Sequence, residues 1–166
     1  MAPHLTHFGV HDHSFNNVST YGNLWRLMNA GKLEENRWER TSYEIALKCS
    51  GAVQAKRWTS LKNGEGFIHS FNGPHSLFID TIRTLRSLAV AHILGHVLKD
   101  ENDKQVSLLE RLLVHAKTTA KYAGYYGEGR DTYDVRGRVA HESIFNVHNG
   151  MYRCPNSQQG FSPFTT

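Results

Sequence analysis

The chain has 166 residues, 39% hydrophobic and 20% charged, a length and balance sufficient for one domain with a sizeable core. No run approaches the ~18 apolar residues of a membrane-spanning helix, and the formal net charge of +4 comes from scattered rather than massed basic residues. With no zinc-finger or RNA-binding signature either, neither a membrane nor a nucleic acid is expected as a partner.

Residues 1–15 are polar and histidine-rich without a clear period. They show neither the basic nor the apolar region of a signal peptide, so the compartment stays open between cytoplasm and periplasm. His11, Asp12 and His13, with His4 and His7 nearby, offer ligating side chains, but their spacing matches no standard zinc pattern. His92 and His96 lie one helical turn apart and lack the glutamate of a metalloprotease motif. No metal and no cofactor is expected. Cys49 and Cys154 give no disulfide framework and read as two buried thiols.

From about Asn16 a helix is predicted, because Tyr21, Leu24, Trp25 and Met28 recur at spacings of three and four, with Gly31 as its stop. A second helix is predicted from about Asn36 to Trp58, where Ile45, Cys49, Ala52 and Val53 are flanked by Arg37, Glu39, Arg40, Glu44 and Lys48. Together they make an antiparallel hairpin. Asn63 to Gly66 and Asn72 to Pro74 are turn signals that bracket a short strand at Phe67 to Phe71.

The stretch from His75 to Leu94 reads as a buried helix, apolar nearly all round and ending near Leu98. Asp80, Arg83, Thr84 and Ser87 form a single polar stripe on it at helical offsets. A turn at Asp100 to Asp103 leads into an amphipathic helix over about 103–123, with Val106, Leu109, Leu113, Ala116 and Ala120 on one face. The tail from Tyr125 is irregular and reads as short strands of a loop hairpin. Ser162 and Pro163 look like a helix start, so the chain reads as truncated.

The plan repeats: an acid-bearing loop, an inner helix, an outer helix, a glycine-rich loop with a short strand. The expected fold is therefore all-α, built from helical hairpins with functional loops at one end, as in a toroid or solenoid. Asp12 opens the first unit and Asp80 the second. Either acid alone reads as a helix N-terminal carboxylate, worth about 0.3–1 kcal/mol against the helix dipole. As a pair whose environments differ, they suit one protonated and one ionised role. Phe78 and Ile79 would desolvate Asp80 and raise its pKa, whereas Arg83 would lower it by pointing at the carboxylate. His141 lies in a polar loop, and the amides around Gln159, near Tyr152 and Phe161, suit a hydroxylated ligand.

His11 and Asp12 followed by Phe15 resemble the His-Asp-x-x-Phe motif of unsaturated glucuronyl hydrolases, glycoside hydrolase family 88. Phe78, Ile79, Asp80 and Thr81 resemble that family's second acid. The run from Gly137 to His141 looks like its substrate-contacting histidine loop, and Gln159, Gly160, Phe161 and Ser162 resemble its Gln-Gly-Tyr-Ser stretch. The resemblance covers the chain in order. It implies part of an (α/α)6 barrel, a single partial catalytic domain over 1–166 holding about two helical hairpins. It also implies release of a terminal 4,5-unsaturated uronic acid from lyase-generated oligosaccharides.

By the same resemblance Asp80 is the general acid and base, Asp12 assists in positioning, and His141 and Gln159 contact the substrate. Thr81, Ile82 and Arg83 depart from the family's methionine- and asparagine-rich continuation, and His13 and Ser14 replace its apolar-glycine pair. An unsaturated rhamnogalacturonyl hydrolase and a non-catalytic helical-repeat module are the alternatives. A partial barrel would expose apolar surface and self-associate.

Overall fold

A computed structural model describes residues 5–7, 9, 11–99, 104–156 and 164–165. The helices are α1 (His13–Asn17), α2 (Asn23–Asn29), α3 (Arg37–Lys56), α4 (Leu85–Ile93) and α5 (Leu108–Ala123). A π-helical turn, Val18–Gly22, joins α1 to α2, and a 3-10 helix, Ile79–Thr84, leads into α4. The strands are β1 (Trp58–Ser60), β2 (Gly66–Ile68), β3 (Ser76–Phe78), β4 (Leu98–Lys99), β5 (Gln105–Val106), β6 (Val139–Ala140), β7 (Glu142–Phe145), β8 (Tyr152–Asn156) and β9 (Phe164–Thr165). The chain divides into two compact units, Met1–Lys56 with Arg83–Leu112, and Arg57–Ile82 with Leu113–Thr166.

In the first unit local chemistry sets the helix ends. Asn36 caps α3, its Oδ1 accepting from the Trp38 and Glu39 amides at 3.0 and 3.2 Å. Gly31 closes α2 with φ of 64°, and the Lys32 and Gly31 amides return to Leu27 and Met28 carbonyls at 2.9 and 3.1 Å. That pairing satisfies the last carbonyls of the helix. Trp25 donates its indole N–H to Glu44 at 3.2 Å, tying α2 to α3 as the expected hairpin.

Helices α3 and α4 meet through small residues. The backbones come so close at Gly51 that an added Cβ would lie 2.4 Å from the Ala91 Cβ and 2.7 Å from the Ser87 carbonyl oxygen. Ala55, Ala91, Leu98 and Leu108 form the apolar cluster beside this contact, with Ala52 and Val106 against it. Arg111 donates to the Ala55 carbonyl near the C-terminal end of α3.

The second unit is built on strands. Asn63 and Gly64, with φ of 60° and 74°, form the turn of the β1–β2 hairpin. Strands β3, β7 and β8 form an antiparallel sheet in that order. Phe67, Leu77 and Phe145 are its core, with Leu61, Tyr122 and Tyr152 packed on them. Burying each such aromatic ring contributes about 1.5–3 kcal/mol.

The all-α (α/α)6 expectation is overturned: the chain is mixed, 48% helical and 17% strand, and it is not an (α/α)6 barrel. The stretch from His75 to Leu94 is the main reason. It is a buried strand, then a 3-10 helix, then a helix of nine residues, rather than one continuous helix. A short apolar run such as Leu77, Phe78 and Ile79 has the same pattern in a buried strand and a buried helix. Here Leu77 pairs with Ser143 and Phe78 with Glu142. Thr81 and Ser87 then turn their hydroxyls onto the Phe78 and Thr84 carbonyls, at 2.6 and 2.7 Å, favouring the tighter turn.

Helix α5 starts later than predicted. Residues 105–106 pair with 98–99 instead, and Ser107 caps the helix through the Glu110 amide at 3.1 Å. Leu109 and Leu113 face outward, 42% and 49% exposed, while His115, Thr118 and Thr119 are buried. Both cysteines are free, and Cys154 is exposed rather than buried. The turn at Asp100 to Asp103 and the helix start at Ser162 and Pro163 lie outside the described residues.

Replacing Gly51 with alanine is expected to destabilise the protein by about 1–3 kcal/mol, the cost of overpacking. In an uncrowded helix the same change would stabilise by roughly 1 kcal/mol. Urea-unfolding free energies of the two proteins decide the sign.

Candidate active site

Strand β3 is wholly buried. The chain leaves it at Ile79, whose amide donates to the His141 carbonyl at 3.0 Å. One residue later Asp80 stands half-buried in the first turn of the 3-10 helix. His141, also half-buried, sits between β6 and β7, and its ring meets the Phe78 ring edge-on with centroids 4.9 Å apart. The structure thus brings Asp80 and His141 to the same end of the β3–β7 pair. They come together because β3 and β7 are antiparallel and Phe78 faces Glu142 in register.

The 3-10 helix is held from behind by His115, which is fully buried. Its Nδ1 accepts from the Ile68 amide at 3.2 Å, so the proton sits on Nε2, which donates to the Thr81 carbonyl at 3.1 Å. Burial pushes its pKa from 6.5 down to about 4, against the opposing pull of the Thr81 hydrogen bond. The imidazole is neutral at neutral pH. Thr118 accepts from the Gly66 amide at 3.4 Å, so α5 satisfies the outer edge of β2 with side chains.

Behind His141 lies a carboxylate that sequence reasoning missed. Glu142 is buried, and its oxygens accept from Ser76 at 2.5 Å, Asn72 at 3.0 Å and Asn156 at 3.0 Å. Ser76 is bonded in turn to Ser70 at 2.5 Å. Arg57 donates to the Ser70 and His69 carbonyls at 2.7 and 3.2 Å. Burial, then the Arg57 charge, lowers the His69 pKa to about 4. This network fixes the start of β7, and with it His141. Its donors come from positions 72, 76 and 156, a juxtaposition that no local pattern announces.

Asp12 belongs to the first unit and Asp80 to the second. Asp12 occupies the N-cap position of α1, with helical φ and ψ of −66° and −20° and no side-chain capping bond. The buried His11 places its Nε2 3.4 Å from an Asp12 carboxylate oxygen. One turn on, Phe15 carries the Arg83 guanidinium over its ring, 3.6 Å from the centroid. Gln159 and His4 lie outside the described residues. Among the described residues no helix is long and apolar enough to cross a membrane.

Compared with protein-family models, curated proteins and solved structures, the chain matches none.

His115 and His69, with His96 shifted in the same direction, have a folded pKa below the unfolded 6.5 and make stability pH-dependent. The unfolded chain takes up their protons first, so the stabilisation is complete above pH 6.5 and is lost as pH falls from 6.5 toward 4. His115→Gln should flatten this slope by up to about one proton over the same window, since each such group contributes one proton to the linkage. Urea unfolding measured across the window checks it.

Proposed function

We propose that the chain acts as a glycoside hydrolase that releases a terminal 4,5-unsaturated uronic acid from oligosaccharides by hydrating the C4=C5 bond. The observation that carries this reading is the position of Asp80, an acid leaving a buried strand beside His141. The ordered set of motifs around Asp12, Asp80, His141 and Gln159 adds to it.

In the proposed reaction the Asp80 carboxylic acid delivers its proton to C4 of the vinyl ether. Positive charge develops at C5 and is shared with the ring oxygen. Water adds at C5 and returns a proton to the Asp80 carboxylate. The hemiketal opens to a C5 ketone, and C1 expels the neighbouring sugar as it becomes an aldehyde. One water is consumed, and Asp80 ends as it began, serving as acid and then base. His141 binds the sugar, its ring steadied on Phe78. The family resemblance alone assigns Asp12 to orienting the sugar or the water and Gln159 to contacting the substrate. No metal or cofactor enters this chemistry.

The test is loss of the ultraviolet absorbance of the conjugated C4=C5 bond in an unsaturated disaccharide. Asp80→Asn is expected to lower kcat by roughly 100- to 10,000-fold, the usual contribution of general acid–base catalysis. Circular dichroism should show the same fold. Near-wild-type turnover by the variant would remove Asp80 from its role. An inert wild-type chain would favour a non-catalytic binding module.

A further inference from the structure

The π-helical turn Val18–Gly22, α2 and α4 border a cavity of about 260 Å3 that lies wholly within the first unit. Val18, which is buried, and Ala89 and Val90, which are half-buried, give it an apolar floor. Trp25 forms another side. Its indole N–H already donates to Glu44 at 3.2 Å, so the ring offers the cavity apolar contact rather than a free donor. The cavity shares no residue with the candidate active site, and nothing about it depends on the hydrolase reading.

Two guanidiniums, Arg26 from α2 and Arg86 from α4, stand at its exposed rim. Among the described residues neither guanidinium takes part in a hydrogen bond or an ion pair. Their own segments supply no counter-charge, because residues 13–33 and 83–99 contain no aspartate or glutamate. A single exposed arginine is ordinary. Two from different helices over one apolar floor raise the local potential and concentrate anions beside a surface that takes hydrocarbon.

The walls narrow the ligand further. A carboxylate neutralises one of the two cations, whereas a phosphate monoester carries about 1.5–2 charges at neutral pH and three acceptor oxygens. Each guanidinium presents a planar fork that matches two phosphate oxygens. The volume falls just below the roughly 300–1,000 Å3 of drug-sized ligand sites, which limits the body to a single ring or a short chain. We propose that this cavity binds a small phosphate monoester, its head group on Arg26 and Arg86 and its apolar body against Val18, Trp25 and Val90.

The experiment uses the full chain, with phenyl phosphate as the probe and inorganic phosphate, benzoate and phenol for comparison. Binding is followed by NMR on the Trp25 indole N–H signal, assigned by its loss in Trp25→Phe. Phenyl phosphate should shift that signal and bind roughly 10- to 100-fold more tightly than phenol, the range for a hydrogen bond to a charged group. Inorganic phosphate and benzoate each lack one half of the match and should bind more weakly than phenyl phosphate. Arg26→Met and Arg86→Met should each lower its affinity several-fold, and Arg86→Lys should keep part of it. Arg37→Met, outside the cavity, should leave it unchanged. Ala89→Leu fills the floor without altering charge and should weaken phenyl phosphate more than inorganic phosphate.

A Trp25 signal left unmoved by millimolar phenyl phosphate would overturn the site. So would an unchanged affinity in the Arg26→Met, Arg86→Met double variant with its circular dichroism intact. Should that variant not fold, unchanged binding in both single variants overturns it equally. Benzoate bound as tightly as phenyl phosphate would overturn the assignment to a phosphate, and inorganic phosphate bound as tightly would overturn the role of the apolar floor.

Discussion

The imidazole of His115 links backbone groups of two different elements. On one side it accepts from the Ile68 amide, on the edge of β2 turned away from β1. On the other it donates to the Thr81 carbonyl, one residue past Asp80. Leaving the Ile68 amide buried and unpaired would cost about 1–3 kcal/mol. A protonated imidazole would present a donor to the Ile68 amide and lose that bond. The neutral ring is therefore a requirement of the packing, and the depressed pKa of about 4 expresses it. Placement of the candidate acid rests on this one neutral side chain.

The second support is the network around Glu142. Burying a carboxylate costs several kcal/mol unless its lone pairs are met, and here three side chains meet them. An apolar residue of the same size could serve stability as well. What the carboxylate provides is location. It draws the loop before β3 and the end of β8 onto the first residue of β7, so His141 emerges beside Phe78 and not elsewhere along the sheet. The apolar core of Phe67, Leu77 and Phe145 lies under that polar layer.

Features governed by neighbours in sequence could be read from the chain. Gly31 stops a helix because only glycine readily takes a positive φ, and Asn63 with Gly64 makes a turn for a related reason. Helix α3 runs over nearly the predicted span, from its Asn36 cap. Features governed by distant partners were not legible. The edge of β2 required hydrogen-bonding side chains, so α5 turned His115 and Thr118 inward and left Leu109 and Leu113 to solvent. Ser107 and Glu110 form a capping-box pattern that was available to the eye, and it would have placed the start of α5 correctly. The acid at Asp80 could be picked out in the sequence; the strand that delivers it could not.

The 3-10 geometry of Ile79–Thr84 makes the relation between Asp80 and Arg83 an angular one. Three residues of a 3-10 helix complete a full turn, whereas three residues of an α-helix fall short of it by about 60°. Were α4 to wind backward by one turn, carboxylate and guanidinium would swing apart although neither side chain had changed. The hydroxyl of Thr81 on the Phe78 carbonyl and the imidazole on the Thr81 carbonyl both oppose that winding. Residues that lie behind the acid thus set the direction in which Asp80 leaves the strand, through the pitch of a single turn.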